Sequence, residues 1–330
     1  MWVVDHTFMT RSLSTLTPAA ATGAIAATGV AYGFATFFAR RLTDAGLAPT
    51  SVAFARFALV AVVLAPCLRL GRADRRATTW GLFSGAVMSI GWIAYIDGIE
   101  HGDVALAGVV YMTYPLFVLL SLAVVFRHRL GGRQIAGGVA VLVAAAVALS
   151  ADAGGGGLPL STIAAPATFG FSIAVLTERL GSLRPAERLS SVATGASLAL
   201  LPFVLLLPGD EVTPAGAGGW AALVGLGVGA ALVPMLIYSA AAPVVGAARS
   251  SVAGATELPT VLVIGALIFG EQLTAHHLVA ALLVGLAILI TPVTRGTHVL
   301  PDEDDAMPLG PPAHTMPGSA LPIVTSAATS

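Results

Sequence analysis

Apolar runs close to 20 residues long recur along the chain, each cut off by a short polar or arginine-bearing segment. A bilayer hydrocarbon core about 30 Å thick takes about 20 helical residues to cross. The pattern therefore predicts transmembrane helices, not amphipathic helices around a soluble core. Ten are expected, over 18–38, 50–68, 80–99, 104–126, 134–149, 160–176, 189–207, 219–240, 247–269 and 277–291. From residue 295 the pattern stops. Asp302-Glu303-Asp304-Asp305 and the Pro-, Ala-, Ser- and Thr-rich stretch behind it read as a disordered tail over 295–330. Residues 1–17 are polar, and the apolar run after them outlasts the roughly 7–15 residues of a signal-peptide core. A short N-terminal segment is expected there, not a cleaved leader.

Composition agrees with this pattern. Hydrophobic residues make up 56% of the chain, charged residues only 10%, and mean hydropathy is +0.89. Soluble domains carry roughly 25% charged residues, so this chain has too few to clothe a water-exposed surface. Net charge is −1, which offers no basic surface for nucleic acid. The single cysteine, Cys67, has no partner within the chain for a disulfide.

Arginine placement predicts the orientation. With the N-terminus in the cytoplasm, inside segments carry Arg11, Arg69, Arg72, Arg75, Arg76, Arg127, Arg129, Arg133, Arg179, Arg184, Arg188, Arg249 and Arg295. Outside loops carry only Arg40 and Arg41, and Arg56 sits within a helix. This split of 13 to 2 is a positive-inside signal. Both termini are expected in the cytoplasm of a multi-pass protein of the inner (plasma) membrane.

The two halves echo one another. Trp80 matches Trp220, Pro115 matches Pro259, and Phe126-Arg127-His128-Arg129-Leu130 matches Phe269-Gly270-Glu271-Gln272-Leu273, at offsets of 140, 144 and 143 residues. The fold class expected is all-α, a polytopic membrane protein with two five-helix repeats over 18–150 and 158–292. Five spans per repeat is odd, so the second repeat enters the membrane with opposite polarity. Such inverted repeats are common in secondary transporters and place the substrate near the midplane.

The second half carries Tyr238-Ser239-Ala240-Ala241-Ala242, Ala247-Ala248-Arg249-Ser250-Ser251, Glu257-Leu258-Pro259 and Gly270-Glu271-Gln272-Leu273-Thr274, then a small-residue helix ending Val284-Gly285-Leu286-Ala287-Ile288. In this order and spacing the chain, over about residues 18–292, resembles the drug/metabolite transporter superfamily in its ten-helix EamA-type branch. The first half departs from the pattern, with Thr113 and Tyr114 before Pro115 and His128 in the place of Glu271. The resemblance implies a secondary carrier, often an exporter of small metabolites such as amino acids, or of drugs.

Four charges fall inside the expected spans: Arg56, Asp97, Arg249 and Glu257. A charge at the bilayer centre costs at least about 2.5–3.5 kcal/mol and usually faces a cavity or a partner. Asp97 and Arg249 lie near helix ends and can reach water. Glu257 lies about 15 Å along its helix, near the midplane, and Arg56 about 9 Å below the opposite end of its own. Glu257 is the candidate for substrate or proton binding. Arg56 is the candidate for pairing with it or for holding a substrate carboxylate. The plainer alternatives are that Glu257 serves backbone groups freed near Pro259 and that Arg56 snorkels to the headgroups. Pro115 and Pro259 are expected to bend their helices. Tyr32, Trp92, Tyr111 and Tyr114 are candidate pocket aromatics. Tyr95 and Tyr238 are candidates for the same pocket, but they fall near helix ends, where interfacial anchors sit. Glycines including Gly29 and Gly33, spaced as Gly-x-x-x-Gly on one helix face, suit close helix packing.

Neither metal ligands nor a phosphate-binding loop can be read, and no cofactor is expected. The partners expected are a small-molecule substrate and the lipid bilayer, with the protein a monomer or homodimer. A flippase for lipids or lipid-linked carriers on the same scaffold is the alternative reading. A channel lacks a ring of charge or a filter sequence, and a membrane-embedded enzyme lacks clustered catalytic groups.

Overall fold

A computed structural model describes residues 17–72, 74–101, 110–151, 163–268 and 275–293. The described residues form helices and their connections, without strands. In chain order these are α1 (Pro18–Asp44), α2 (Pro49–Val63), α3 (Arg75–His101), α4 (Tyr114–Val124), α5 (Gly132–Ala151), α6 (Ala164–Glu178), α7 (Pro185–Val204) and the single turn α8 (Gly209–Val212). There follow α9 (Gly216–Val224), a π-helical stretch (Gly225–Leu232), α10 (Val233–Val245), α11 (Ala247–Gly254), α12 (Glu257–Ile268) and α13 (Ala275–Ile290). The expected N-terminal segment, the acidic tail, the glycine run near 154–157 and Glu271 lie outside the described residues.

Among the described residues, three helical stretches are long and apolar enough to cross a membrane: Pro18–Asp44, Arg75–Asp97 and Gly216–Val245. Pro49–Val63, Tyr114–Val124, Gly132–Val147 and Leu278–Ile290 are shorter apolar helices. Large apolar side chains such as Leu206, Leu267, Leu282 and Leu289 lie on the outside of the bundle, while serines and threonines such as Thr28, Ser84, Ser190 and Ser250 are buried. That inside-out arrangement suits a lipid solvent.

Local chemistry sets the element ends. Thr17 caps α1, its Oγ1 accepting from Ala20 N at 3.3 Å, and Pro18 takes the first helical position. At the other end Gly46 turns with φ +91°, and Leu47 N–H donates back to Leu42 O, the left-handed stop that favours glycine. The apolar run predicted to reach residue 68 in α2 stops at Val63, because Pro66 disfavours helical geometry at Ala65 and leaves a 3₁₀ turn over Ala65–Cys67. Within the long helix beginning at Gly216, Pro234 withholds the N–H that Ala230 would receive, and the preceding turns widen to π geometry.

The fourth and ninth apolar runs are both broken. A turn at Met112–Thr113 precedes α4, and one at Ala255–Thr256 separates α11 from α12. Each break falls just ahead of its proline. Pro259 has no N–H to offer Ala255, whose carbonyl accepts instead from Leu258 N at 3.0 Å; at the other break Pro115 has none to offer Tyr111, and Thr113 O accepts from Leu116 N at 3.0 Å as α4 begins.

Packing is reciprocal between the two halves. α1 lies against α10, α11 and α12, as α6 lies against α3 and α4. The helix pair α3–α7 has its counterpart in α2 with the π stretch, and α5 pairs with α13. Small residues permit the closest crossings. A Cβ on Gly29 would sit 2.6 Å from Gly254 O, and one on Gly33 2.7 Å from Thr260 Cγ2, so the Gly-x-x-x-Gly face of α1 meets α11 and α12. Gly229, by contrast, faces open space.

Candidate transport site

The breaks in the fourth and ninth runs meet near the middle of the bundle. Tightening at the second break draws Ala255 N–H to Val252 O at 3.2 Å, away from Ser251 O. The hydroxyl of Tyr114 takes up that carbonyl, donating to Ser251 O at 2.8 Å. Thr256 Oγ1, one turn on, lies 2.7 Å from Ala26 O of α1. Both bonds cross between the halves of the chain.

Around this junction the aromatic side chains form a continuous wall. Trp92 and Tyr95 lie 5.6 Å apart, Tyr95 and Tyr111 4.8 Å, and Tyr111 and Tyr114 5.6 Å, with Phe169 of α6 5.0 Å from Tyr114. Tyr95 also meets Thr36 Oγ1 at 3.3 Å. Tyr95 and Tyr238, whose positions near helix ends suggested interfacial anchors, are buried inside the bundle. α3 continues to His101 and the eighth run to Val245, which leaves both tyrosines further from the helix ends.

Arg56 lies against this wall. Its guanidinium carbon stands 3.9 Å from the Trp92 ring centroid and 5.8 Å from that of Tyr32, within cation–π range. Arg56 is 4% exposed, and its Nε and Nη1 are buried without a hydrogen-bond partner among the described residues. Glu257, which opens α12, is 6% exposed. It lies within electrostatic reach of Arg56 and of the hydroxyls of Tyr32, Tyr95, Tyr111 and Tyr114. No ion pair joins Arg56 and Glu257 among the described residues. A guanidinium with unmet donors next to a buried carboxyl is costly to maintain, because each desolvated charge needs hydrogen bonds to offset its burial.

All six substrate-site candidates, Glu257, Arg56, Tyr111, Tyr114, Trp92 and Tyr32, therefore fall in one neighbourhood, with Pro115 and Pro259 at the two breaks. Phe169 was not legible as a member, since nothing in the sequence sets it apart from other apolar residues of its run. A small cavity of about 40 Å³ lies beside the cluster, lined by Tyr32, Phe169, Ser172, Met235 and Tyr238 among others. In this conformation it has room for water and not for a metabolite.

One end of the bundle is tied by polar contacts. Arg69 Nε meets Glu187 Oε1 at 2.8 Å, and Glu187 Oε2 accepts from Arg184 N at 2.9 Å, which caps α7. His128 Nε2 stands 3.4 Å from Glu178 Oε2. Arg249 reaches Thr22 Oγ1 at 3.0 Å and also Thr291 O. Arg188 is buried and donates to Leu180 O, Gly181 O and Ser239 O at 2.8, 3.1 and 2.9 Å. Its position in an arginine-bearing loop pointed only to topology. Asp97 is half-buried beside a hollow at the opposite end of α3. No group of three metal-ligating side chains exists among the described residues.

Comparison with known proteins places these features. The profile described as the EamA-like transporter family matches residues 20–150 and again 159–292. Solved structures match as well. One, titled only as the crystal structure of a protein, is 20% identical, with a TM-score of 0.60 over 82% of this chain and 96% of that one, a likeness of fold. No curated protein matches.

Proposed function

Because the chain belongs to the EamA-like transporter family, we propose that it exports small metabolites (amino acids or related compounds) or drugs by alternating access, with Arg56 and Glu257 at the substrate site. The family membership makes it an integral membrane protein and a transporter of the drug/metabolite type. The proposal adds ten spans in two inverted repeats, both termini in the cytoplasm, the inner membrane as location, and coupling to a proton gradient through Glu257.

The observation that carries the reading is a buried guanidinium with two donors unmet among the described residues. Arg56 is buried, stacked on Trp92, and short of acceptors at Nε and Nη1. A carboxylate supplies what a guanidinium edge lacks, with charge-assisted and often bidentate hydrogen bonds. Glu257, near it, is placed to meet a substrate ammonium or a proton, so that one displaces the other. Aromatic walls suit an organic body between the two charges. The two breaks at Pro115 and Pro259 supply the jointed helices that alternating access requires.

The test is a flux screen in proteoliposomes over amino acids, nucleosides and cationic drugs, with and without a pH gradient. The expected result is gradient-stimulated flux of a carboxylate-bearing solute and its loss in Arg56→Gln. Flux of cationic drugs alone, unchanged in Arg56→Gln, would overturn the assignment of Arg56. Absence of flux for every solute would favour the flippase reading.

A further inference from the structure

At the start of α3, Arg72, Arg75 and Arg76 line a surface hollow of about 640 Å³ together with Thr79, Trp80 and Phe83. None of the three guanidinium groups is in an ion pair or hydrogen bond with a described residue; Arg75 is engaged through its carbonyl, which accepts from Thr79 Oγ1 at 2.8 Å. Asp74 is the carboxylate next to them in the chain. A fourth cation arrives from the other half. Arg179, just past the end of α6, stands 5.6 Å from the Trp80 ring centroid and 5.4 Å from that of Phe126. The helix start adds its own partial positive charge to this concentration of arginines, and no acidic residue occupies its first turn.

Positive-inside bias accounts for arginines at this end of the bundle, but not for the aromatic lining. Trp80 packs edge-on to Phe83 at 6.2 Å, and Phe83 packs edge-on to Phe171 of α6 at 6.1 Å. Phe83 is 53% exposed, and Ile90, two turns further along the same face, is 60% exposed. The hollow is thus cationic at its outer end and continues as an exposed apolar stripe running about 10 Å along the helix. A ligand matching both ends has an anionic head and a hydrocarbon body.

We infer that this hollow, at the α3–α6 seam, is a binding site for an anionic phospholipid, with the phosphate at Arg72, Arg75 and Arg76 and an acyl chain along Phe83 and Ile90. Basic pockets beside transmembrane helices hold anionic headgroups on electrostatic grounds. Arg179 of the second repeat does not line the hollow but backs its wall, through its contact with the Trp80 ring.

The test uses the full chain in detergent micelles, with retention of phosphatidylglycerol and phosphatidylcholine counted by native mass spectrometry. Phosphatidylglycerol is expected to be retained over phosphatidylcholine, with affinity falling about five-fold for each arginine neutralised. Arg75→Gln with Arg76→Gln should remove most of the preference. The charge-conserving Arg75→Lys with Arg76→Lys should keep it, and Arg40→Gln with Arg41→Gln, at the other end of α1, should leave it unchanged. Chain-brominated phosphatidylglycerol should quench tryptophan fluorescence more than the brominated phosphatidylcholine, with the difference lost in Trp80→Phe. Equal retention of both lipids, or a preference untouched by Arg75→Gln with Arg76→Gln, overturns the site. Displacement of phosphatidylglycerol by millimolar inorganic phosphate would show a free-anion site and likewise overturn it.

Discussion

Replacing Tyr114 by Phe removes one hydroxyl and leaves the aromatic wall intact, which isolates the bond that supports the broken ninth helix. In the native chain that hydroxyl donates to Ser251 O at 2.8 Å, the carbonyl from which Ala255 N–H has turned away. Tyr114 is 2% exposed, so water cannot serve in its place. Leaving a buried acceptor unmet costs about 1–3 kcal/mol. At roughly 2–4 °C per kcal/mol for larger domains, the melting point in detergent should fall by roughly 2–12 °C. Tyr111→Phe is the matched control, since its ring belongs to the same stack but its hydroxyl makes no hydrogen bond among the described residues. It should melt within about 0.5 kcal/mol of the parent, the usual range for a change that touches no such feature. Gly254→Ala offers a second route to the same bond, because its methyl would stand 2.6 Å from the Tyr114 hydroxyl. The double variant should lose less than the sum of the two single losses, as expected for changes that remove one shared interaction. Equal melting of Tyr114→Phe and Tyr111→Phe, or strict additivity with Gly254→Ala, would refute the reasoning.

Other consequences are equally direct. Gly29→Val should drive α1 from α11 at Gly254 O and cost about 1–3 kcal/mol or more, seen as lost monodisperse protein on size exclusion, whereas Gly229→Ala should be tolerated because its Cβ meets nothing. Cys67, in the turn beyond the end of α2, is a built-in reporter. Partial burial raises its thiol above the ordinary value and the neighbouring Glu187 carboxylate raises it further, against a smaller lowering by Arg69. The thiolate fraction at neutral pH is therefore depressed, so maleimide labelling should be slower than for a free thiol, speed up as pH rises, and quicken in Glu187→Gln; a rate unchanged by that substitution would contradict the contact. Arg188→Met should lower the melting point more than Arg184→Met, because Arg188 is buried and serves three carbonyls.

How much of this was readable beforehand depended on the kind of signal. Hydrophobic run length marked most helices, and the internal offset at Pro115 and Pro259 marked the two places where they break. Gly29 and Gly33 announced a packing face by spacing alone. Glu257 and Arg56 stood out because a charge in an apolar run is expensive. Sequence could not show that they share one neighbourhood with Trp92, since that depends on how α2, α3 and α12 cross. Arg188 was hidden among loop arginines. Its burial follows from the turn between α6 and α7, whose carbonyls at Leu180 and Gly181 it satisfies. Tyr95 and Tyr238 read as lying near helix ends because hydropathy does not weigh the caps and prolines that let α3 and the eighth run continue past them.

On this proposal Arg56 of α2 and Glu257 at the break of the ninth run carry the transported substrate and its coupling. The most direct test compares proton-gradient-driven flux with solute exchange at equal pH, in proteoliposomes holding the parent chain or Glu257→Gln at matched insertion. The account predicts that Glu257→Gln inserts normally and loses gradient-driven flux. Gradient-driven flux at the parent rate in Glu257→Gln would contradict it.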